Sequence, residues 1–229
     1  MITTSIILAG GLGTRLKKTI PNLPKPMAPV NGRPFLEYQI DFLIHQGITK
    51  IIISVGYLSQ IIIDHFGNKY KNVSIEYSKE NTPLGTGGGL MIALKNLKNP
   101  VLVINGDTFF KVDLIEFEKF HSFNNSKLTV SLFRSNPKNR YMGIDIDCKG
   151  EIISLASDSD LINGGVYIIE PSIFNSFNYQ LGDKFSFEDD ILFELVNNPL
   201  KLFGKEFEGI FIDIGIPEDY YRAHELLIN

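Results

Sequence analysis

Leu8-Ala9-Gly10-Gly11-Leu12-Gly13-Thr14-Arg15-Leu16 joins three closely spaced glycines to a fixed positive charge. A backbone without side-chain cover lets its N–H groups approach a polyphosphate closely. The planar guanidinium of Arg15 suits a departing pyrophosphate. Lys25, between two prolines in Pro24-Lys25-Pro26, is either a second, aimed cation or a solvated one. Together these residues predict a nucleoside triphosphate site; the alternative is a tight strand-to-helix turn without a ligand. Two common glycine motifs do not fit. A dinucleotide fingerprint needs glycine where Leu16 stands, and a Walker loop ends Gly-Lys-Ser/Thr where this chain has Gly13-Thr14-Arg15.

Two acids extend the picture. Asp107 follows an apolar run in Asn105-Gly106-Asp107-Thr108, and Asp213 interrupts another in Ile210-Phe211-Ile212-Asp213-Ile214-Gly215. An Asx turn is the commoner use of Asp after Gly. A buried carboxylate otherwise needs a metal, a cation or several N–H donors. Both acids sit near strand ends, so a shared Mg²⁺ with phosphates as further ligands is expected. A second glycine-rich loop, Glu80-Asn81-Thr82-Pro83-Leu84-Gly85-Thr86-Gly87-Gly88-Gly89, leads into a helix and suits reading a base edge or facing an anion. Asn163-Gly164-Gly165 suits hydroxyl recognition, or else a turn or bulge. The four histidines lack metal-motif spacing, and the Ser154–Ser159 stretch has no His–Asp context for a nucleophile.

The elements that must position these residues alternate through the first half. Strands are expected at Ile6–Ala9, Ile51–Val55, Val73–Tyr77 and Val101–Asn105, with helices from Pro34 to His45, Leu58 to Phe66 and Gly87 to Leu97. Such alternation predicts a parallel sheet covered by helices, with ligands at the carboxyl ends of the strands. The glycine loop and Asp107 both fall there. The second half reads as strands at Leu128–Phe133, Gly143–Asp147, Glu151–Leu155 and Gly164–Ile169, with fewer helices between them. Ser186 is an expected N-cap for a helix through Val196, and Pro217-Glu218-Asp219 opens another. No repeat or long linker divides the chain, so residues 1–229 are expected to form one domain.

Composition excludes other classes. The chain has 229 residues, 44% hydrophobic and 21% charged, which suits a globular domain with an ample core. A net charge of −4 argues against a general nucleic-acid binder while allowing phosphate recognition by a few placed cations. The single cysteine, Cys148, cannot form an internal disulfide or a cysteine-cluster metal site. Without a signal peptide or an apolar stretch long enough to span a bilayer, the chain reads as cytoplasmic, with no membrane partner.

In chain order, Leu8–Leu16, Pro24-Lys25-Pro26, Pro83–Gly88, Asn105-Gly106-Asp107, Asn163–Tyr167, Ser186–Asp189 and Asp213–Tyr220 resemble the sugar-1-phosphate nucleotidyltransferases, the nucleoside-diphosphate-sugar pyrophosphorylase family. The resemblance implies a Rossmann-like three-layer α/β/α sandwich with a mostly parallel mixed sheet. It assigns about 1–110 to the nucleotide and about 111–229 to the sugar phosphate. The implied reaction is in-line attack of a sugar 1-phosphate oxygen on the α-phosphorus of a nucleoside triphosphate, with Mg²⁺ as cofactor. GTP is the favoured nucleotide, a surface polysaccharide the expected destination, and a homodimer the family's suggestion. The implied catalytic residues are Arg15, Lys25 and Asp107, with Asp107 and Asp213 as metal ligands. Leu8, Ala9, Gly10, Gly11, Gly13, Thr14, Arg15, Glu80, Pro83, Gly85, Thr86 and Asp107 would bind the nucleotide. Lys25, Gly143, Asn163, Gly164, Glu188 and Asp213 would bind the sugar phosphate. Other acceptors (mannose, glucose or N-acetylamino sugars), other bases, or a binding protein without turnover are the alternatives.

The chain departs from the family at two places. Members usually carry a Glu-Lys pair before the Asn-Gly-Gly segment, whereas Ile153–Asp160 has no cation. Losing a charged phosphate contact costs on the order of 1.5–3 kcal/mol, and Arg134, Lys138, Arg140 or Lys184 are the candidate replacements. The usual Tyr-Gly acceptor contact is Met142-Gly143.

Overall fold

Strand β1 (Thr4–Leu8) leads through the glycine loop to a 3-10 turn at Lys25–Met27 and a small hairpin of β2 (Pro29–Val30) and β3 (Arg33–Pro34). Next come α1 (Phe35–His45), β4 (Lys50–Val55), α2 (Ser59–Phe66), β5 (Lys69–Tyr70), β6 (Val73–Lys79), α3 (Gly85–Leu94) and β7 (Val101–Asn105). The second half adds β8 (Thr108–Phe110), α4 (Leu114–Phe123), β9 (Leu128–Arg134), β10 (Gly143–Ile146), β11 (Ile152–Ala156) and β12 (Leu161–Ile169). A π-helical turn at Phe187–Leu192 then runs into α5 (Phe193–Val196), followed by β13 (Phe203–Glu206), β14 (Phe211–Asp213) and α6 (Pro217–Leu226). This computed structural model describes residues 1–11, 13, 15–16, 19–135, 141–156, 158–196 and 200–228.

Strands β6, β4, β1 and β7 lie side by side and all run parallel. The chain builds outward from β1 to β6, then returns through α3 to the other side of β1. A crevice opens where the winding reverses, outside the carboxyl ends of β1 and β7. Antiparallel β12 extends the sheet beyond β7 and pairs in turn with β9 and β10, so both halves share one mixed sheet, of ten strands among the described residues.

Alternating side chains of the central strands are apolar on both faces because both faces are covered. Ile6, Ile52 and Val103 pack with Leu90 and Leu94 of α3, and with Phe187 and Ile191. Their neighbours Ile7, Ile53 and Leu102 face Leu36 and Ile40 of α1, Ile62 of α2 and Phe117 of α4. The result is the three-layer α/β/α sandwich, with a mostly parallel central sheet.

The second half holds a helix that the sequence reading overlooked. α4 has Leu114, Phe117 and His121 on its buried side, and its N-cap Asp113 accepts a hydrogen bond from the Glu116 amide (3.0 Å). A histidine in the buried stripe hid the helical period. Ser186 caps its helix as expected, accepting from the Asp189 amide at 3.0 Å, but the first turns are π-helical rather than α-helical. Expected boundaries of the central strands fall within two residues of the observed ones.

Candidate active site

At the crevice beyond β1 and β7 lies a cavity of about 500 Å³. Its floor is the start of the first glycine loop, with Leu8, Ala9, Gly10, Gly11 and Gly13, and its walls include Pro83, Gly85 and Thr86 of the second. Arg15, Lys25, Glu80, Asp107 and Glu188 also line it. Thr14 lies outside the described residues.

Asp107 and Asp213 are joined through strand pairing. β8 and β14 form a two-stranded antiparallel sheet in which Asp213 faces Thr108, and the Ile214 amide donates to the Asp107 carbonyl at 2.9 Å. A cluster of Phe109, Ile212, Ile214 and Tyr220 anchors this pair from below. The Lys25 ammonium lies between the two carboxylates, in contact with Asp107 and 3.9 Å from Asp213 Oδ1. The Lys25 side chain is 9% exposed and that of Asp107 36%, so the cation is largely desolvated while its partner carboxylate still meets solvent. Asp213 Oδ1 also accepts from the Gly215 amide (2.7 Å), and its Oδ2 accepts from the Tyr141 hydroxyl (3.3 Å). Arg15 stands exposed at the cavity and has no ion-pair partner among the described residues.

Glu80 occupies the opposite end. One carboxylate oxygen accepts from the Leu84 amide (2.9 Å), and the other fits into space left by two glycines. A β-carbon on Gly10 or Gly89 would come within 2.6 or 2.5 Å of that oxygen. Burial raises the Glu80 pKa, opposed by the Leu84 amide and the Ser54 hydroxyl. The third and fourth amides of α3 are used inside the protein: Gly87 and Gly88 donate to the Phe185 carbonyl at 3.1 and 3.4 Å, while Gly85 and Thr86, the first two residues of the helix, line the cavity. The helix's glycines admit the Phe185 segment, whose carbonyl would lie 2.4 Å from a β-carbon on Gly85.

Glu188 accepts from Thr86 Oγ1 (2.6 Å) and Asn105 Nδ2 (3.2 Å). Burial is the largest effect on its pKa, which is raised. Behind it, the buried Tyr167 hydroxyl accepts from Asn163 Nδ2 at 2.8 Å. Asn163 spends its other amide atom on the Gly165 amide (2.9 Å), at a bulge in β12. Gly143 is buried in β10 beside Ile162, and Gly164 is buried against Phe110 and Ser131. Gly143, Asn163 and Gly164 do not line the cavity, because their atoms are taken up by sheet packing and by the bulge.

Of the cations weighed for the missing loop lysine, Arg134 is committed to Glu206 by two hydrogen bonds of 2.8 and 2.9 Å. Lys138 and Arg140 lie outside the described residues. Lys184 lines the cavity and has no ion-pair partner among the described residues. The sequence reading passed over Ser54 and Asn105, both of which reach the cavity. Each is a polar residue near the carboxyl end of an apolar strand, and that position is the signal that could have found them.

A family model described as nucleotidyl transferase matches residues 4–229. The chain belongs to this family. Within the nucleotidyl transferases it is 43% identical to the D-glycero-alpha-D-manno-heptose 1-phosphate guanylyltransferase of Campylobacter jejuni, over 98% of this chain and 99% of that protein. It is also 43% identical to the enzyme of the same name from Aneurinibacillus thermoaerophilus, over 97% of each. Among solved nucleotidyl transferase structures, HddC from Yersinia pseudotuberculosis complexed with GMP-PN superposes with a TM-score of 0.84 at 37% identity, covering 98% of this chain and 99% of that one.

Proposed function

We propose that this chain transfers a guanylyl group from GTP to D-glycero-α-D-manno-heptose 1-phosphate. A phosphate oxygen of the sugar attacks the α-phosphorus, the bond from the α-phosphorus to the bridging oxygen breaks, and pyrophosphate leaves with that oxygen. The observation that carries the reading is one cavity in which two glycine-rich loops face Arg15, Lys25 and Asp107. Near end-to-end similarity to two heptose 1-phosphate guanylyltransferases supports the choice of substrates.

The chain's own groups divide the work. The amides of Gly10, Gly11 and Gly13 receive phosphate oxygens, and Arg15 meets the charge that grows on the leaving pyrophosphate. Lys25 holds the two reacting phosphates together against their repulsion. Glu80, an acceptor-only carboxylate, suits guanine, whose base-pairing edge presents two adjacent N–H donors; uracil and thymine present one. Glu188 and Lys184 border the space left for the acceptor.

Two carboxylates converging on one cation position match the hard oxygen donors that Mg²⁺ prefers. Asp107 and Asp213 would hold that ion, with the phosphates completing its shell. When bound it supplies charge neutralisation across the reacting phosphates.

A matrix of nucleoside triphosphates against sugar 1-phosphates, read by coupled pyrophosphate release, tests the reading. The expected maximum is GTP with the heptose 1-phosphate. A maximum at another base or sugar overturns the assigned specificity, and silence across the matrix with nucleotide sugars still binding points to a protein without turnover.

A further inference from the structure

We infer that Gln39, on the inner face of α1, is a positioning residue that fixes the turn carrying Asp107. Gln39 is 1% exposed and sits among the buried apolar residues Phe35, Leu36, Ile40 and Leu43. An aliphatic side chain would fill that position without the cost of burying an amide. The cost is visible, since Gln39 Oε1 has no hydrogen-bond partner among the described residues.

What the amide does is specific. Its Nε2 donates to the Asn105 carbonyl at 2.8 Å and to the Thr108 carbonyl at 2.7 Å. Those carbonyls bracket Gly106-Asp107, so one NH₂ group spans the turn. Two backbone bonds hold the rest: the Gly106 amide donates to the Leu8 carbonyl, and the Ile214 amide to the Asp107 carbonyl, both at 2.9 Å. The turn is thus tied to β1, to the strand bearing Asp213, and to α1. Of these three ties to the backbone of the turn, the last is made by a side chain.

The consequence is reach. Asp107 meets Lys25 while its carbonyl stays paired with the neighbour of Asp213, which requires the turn to keep one conformation. Without Gln39, two buried carbonyls lose their donor and the turn is free to relax toward other partners. A shift of about 1 Å in a catalytic group is enough to cost on the order of a hundredfold in rate.

This inference rests on the reading of Asp107 as part of the transfer machinery, so one arm of the test is independent of turnover. Hydrogen exchange on the nucleotide-free protein compares wild type with Gln39→Met, which keeps the volume and removes the donors. The Gly106 and Ile214 amides are expected to exchange at least about tenfold faster in the variant, while amides in β4 and β6 keep their rates. In the second arm, kcat for pyrophosphate release falls at least about tenfold while KM for GTP stays within about threefold. Gln39→Leu, likewise apolar and without a donor, gives the same split and guards against misfolding of the first variant. Unchanged exchange at Gly106 and Ile214 overturns the clamp whatever the activity. Faster exchange with wild-type kcat overturns its link to Asp107, as does a fall in kcat matched by an equal loss of nucleotide affinity. If wild type proves inactive while the exchange change appears, the functional reading fails and the clamp stands.

Discussion

Lys25 and Asp107 form an ion pair at the mouth of the crevice, with Asp213 completing the group from the second half of the chain. A cation thus already sits between the carboxylates proposed to hold Mg²⁺. The ammonium offsets the mutual repulsion of two half-buried acids. In the proposed complex, where a metal would take the place between the carboxylates, the same lysine would turn to the phosphates.

Removing either acid should therefore lower transfer sharply, and loss of Asp107 should also cost stability, because it leaves the buried Lys25 ammonium short of a partner. Asp107→Asn and Asp213→Asn are expected to lower pyrophosphate release by about a hundredfold or more. Chelation of divalent ions should do the same to wild type. Steady-state rates against Mg²⁺ concentration check this; a variant that keeps wild-type turnover removes the shared metal.

Arg15 stands exposed at the cavity and without an ion-pair partner among the described residues, so it is available to a ligand. Its contact should strengthen as charge develops on the leaving pyrophosphate. Arg15→Ala is expected to cut kcat by about 10–100-fold while nucleotide affinity changes much less. Single-turnover rates beside equilibrium binding separate the two. If only binding weakens, Arg15 holds the ground state and not the leaving group.

How much of this was legible in the sequence differs between the sheet and the site. β1, β4 and β7 were readable because strands buried on both faces become continuous apolar runs, and the parallel arrangement followed from their alternation with helices. The meeting of Asp107 with Asp213 was an expectation without a geometry. It depends on the register of β8 against β14, two strands of three residues each, too short to carry a pattern. Asn163 stays open in the sequence for a related reason: an amide before two glycines looks the same whether it binds a hydroxyl or closes a bulge. Gln39 was invisible, since a lone glutamine in an amphipathic helix reads as a surface position. Its burial follows from packing of α1 onto the Asp107 turn, a relation between segments far apart in the chain.

Glu80 should set the choice of base. Replacing its carboxylate with an amide puts an NH₂ donor within reach of the guanine donors, and a mismatched buried contact costs about 1.5–3 kcal/mol where a charge is involved. Glu80→Gln is therefore expected to lower kcat/KM for GTP by about 10–150-fold and to change the poor rates with UTP or dTTP far less. Competition between GTP and UTP in one reaction reads the ratio directly. Equal losses for every nucleotide would mean that Glu80 supports the loop through Leu84 and does not read the base.

Away from the site, His121 should make the protein acid-sensitive. The ring is 4% exposed, its Nδ1 is hydrogen-bonded with Thr129 Oγ1 at 2.7 Å, and its Nε2 has no hydrogen-bond partner among the described residues. Burial pushes its pKa down from 6.5 to about 4, with Lys127 acting in the same direction and Glu118 opposing. Between those values the unfolded chain binds a proton that the folded chain refuses. Stability is therefore full above pH 6.5 and falls as the pH drops toward 4. From pH 7.5 to pH 5 the loss from this one group is about 2 kcal/mol. His121→Gln should be less stable at neutral pH, where the Thr129 contact is disturbed, yet lose less on acidification. Denaturant midpoints at the two pH values decide it: parallel losses in wild type and variant would place the acid sensitivity elsewhere, whereas a slope shallower in the variant by about 2 kcal/mol assigns it to this ring.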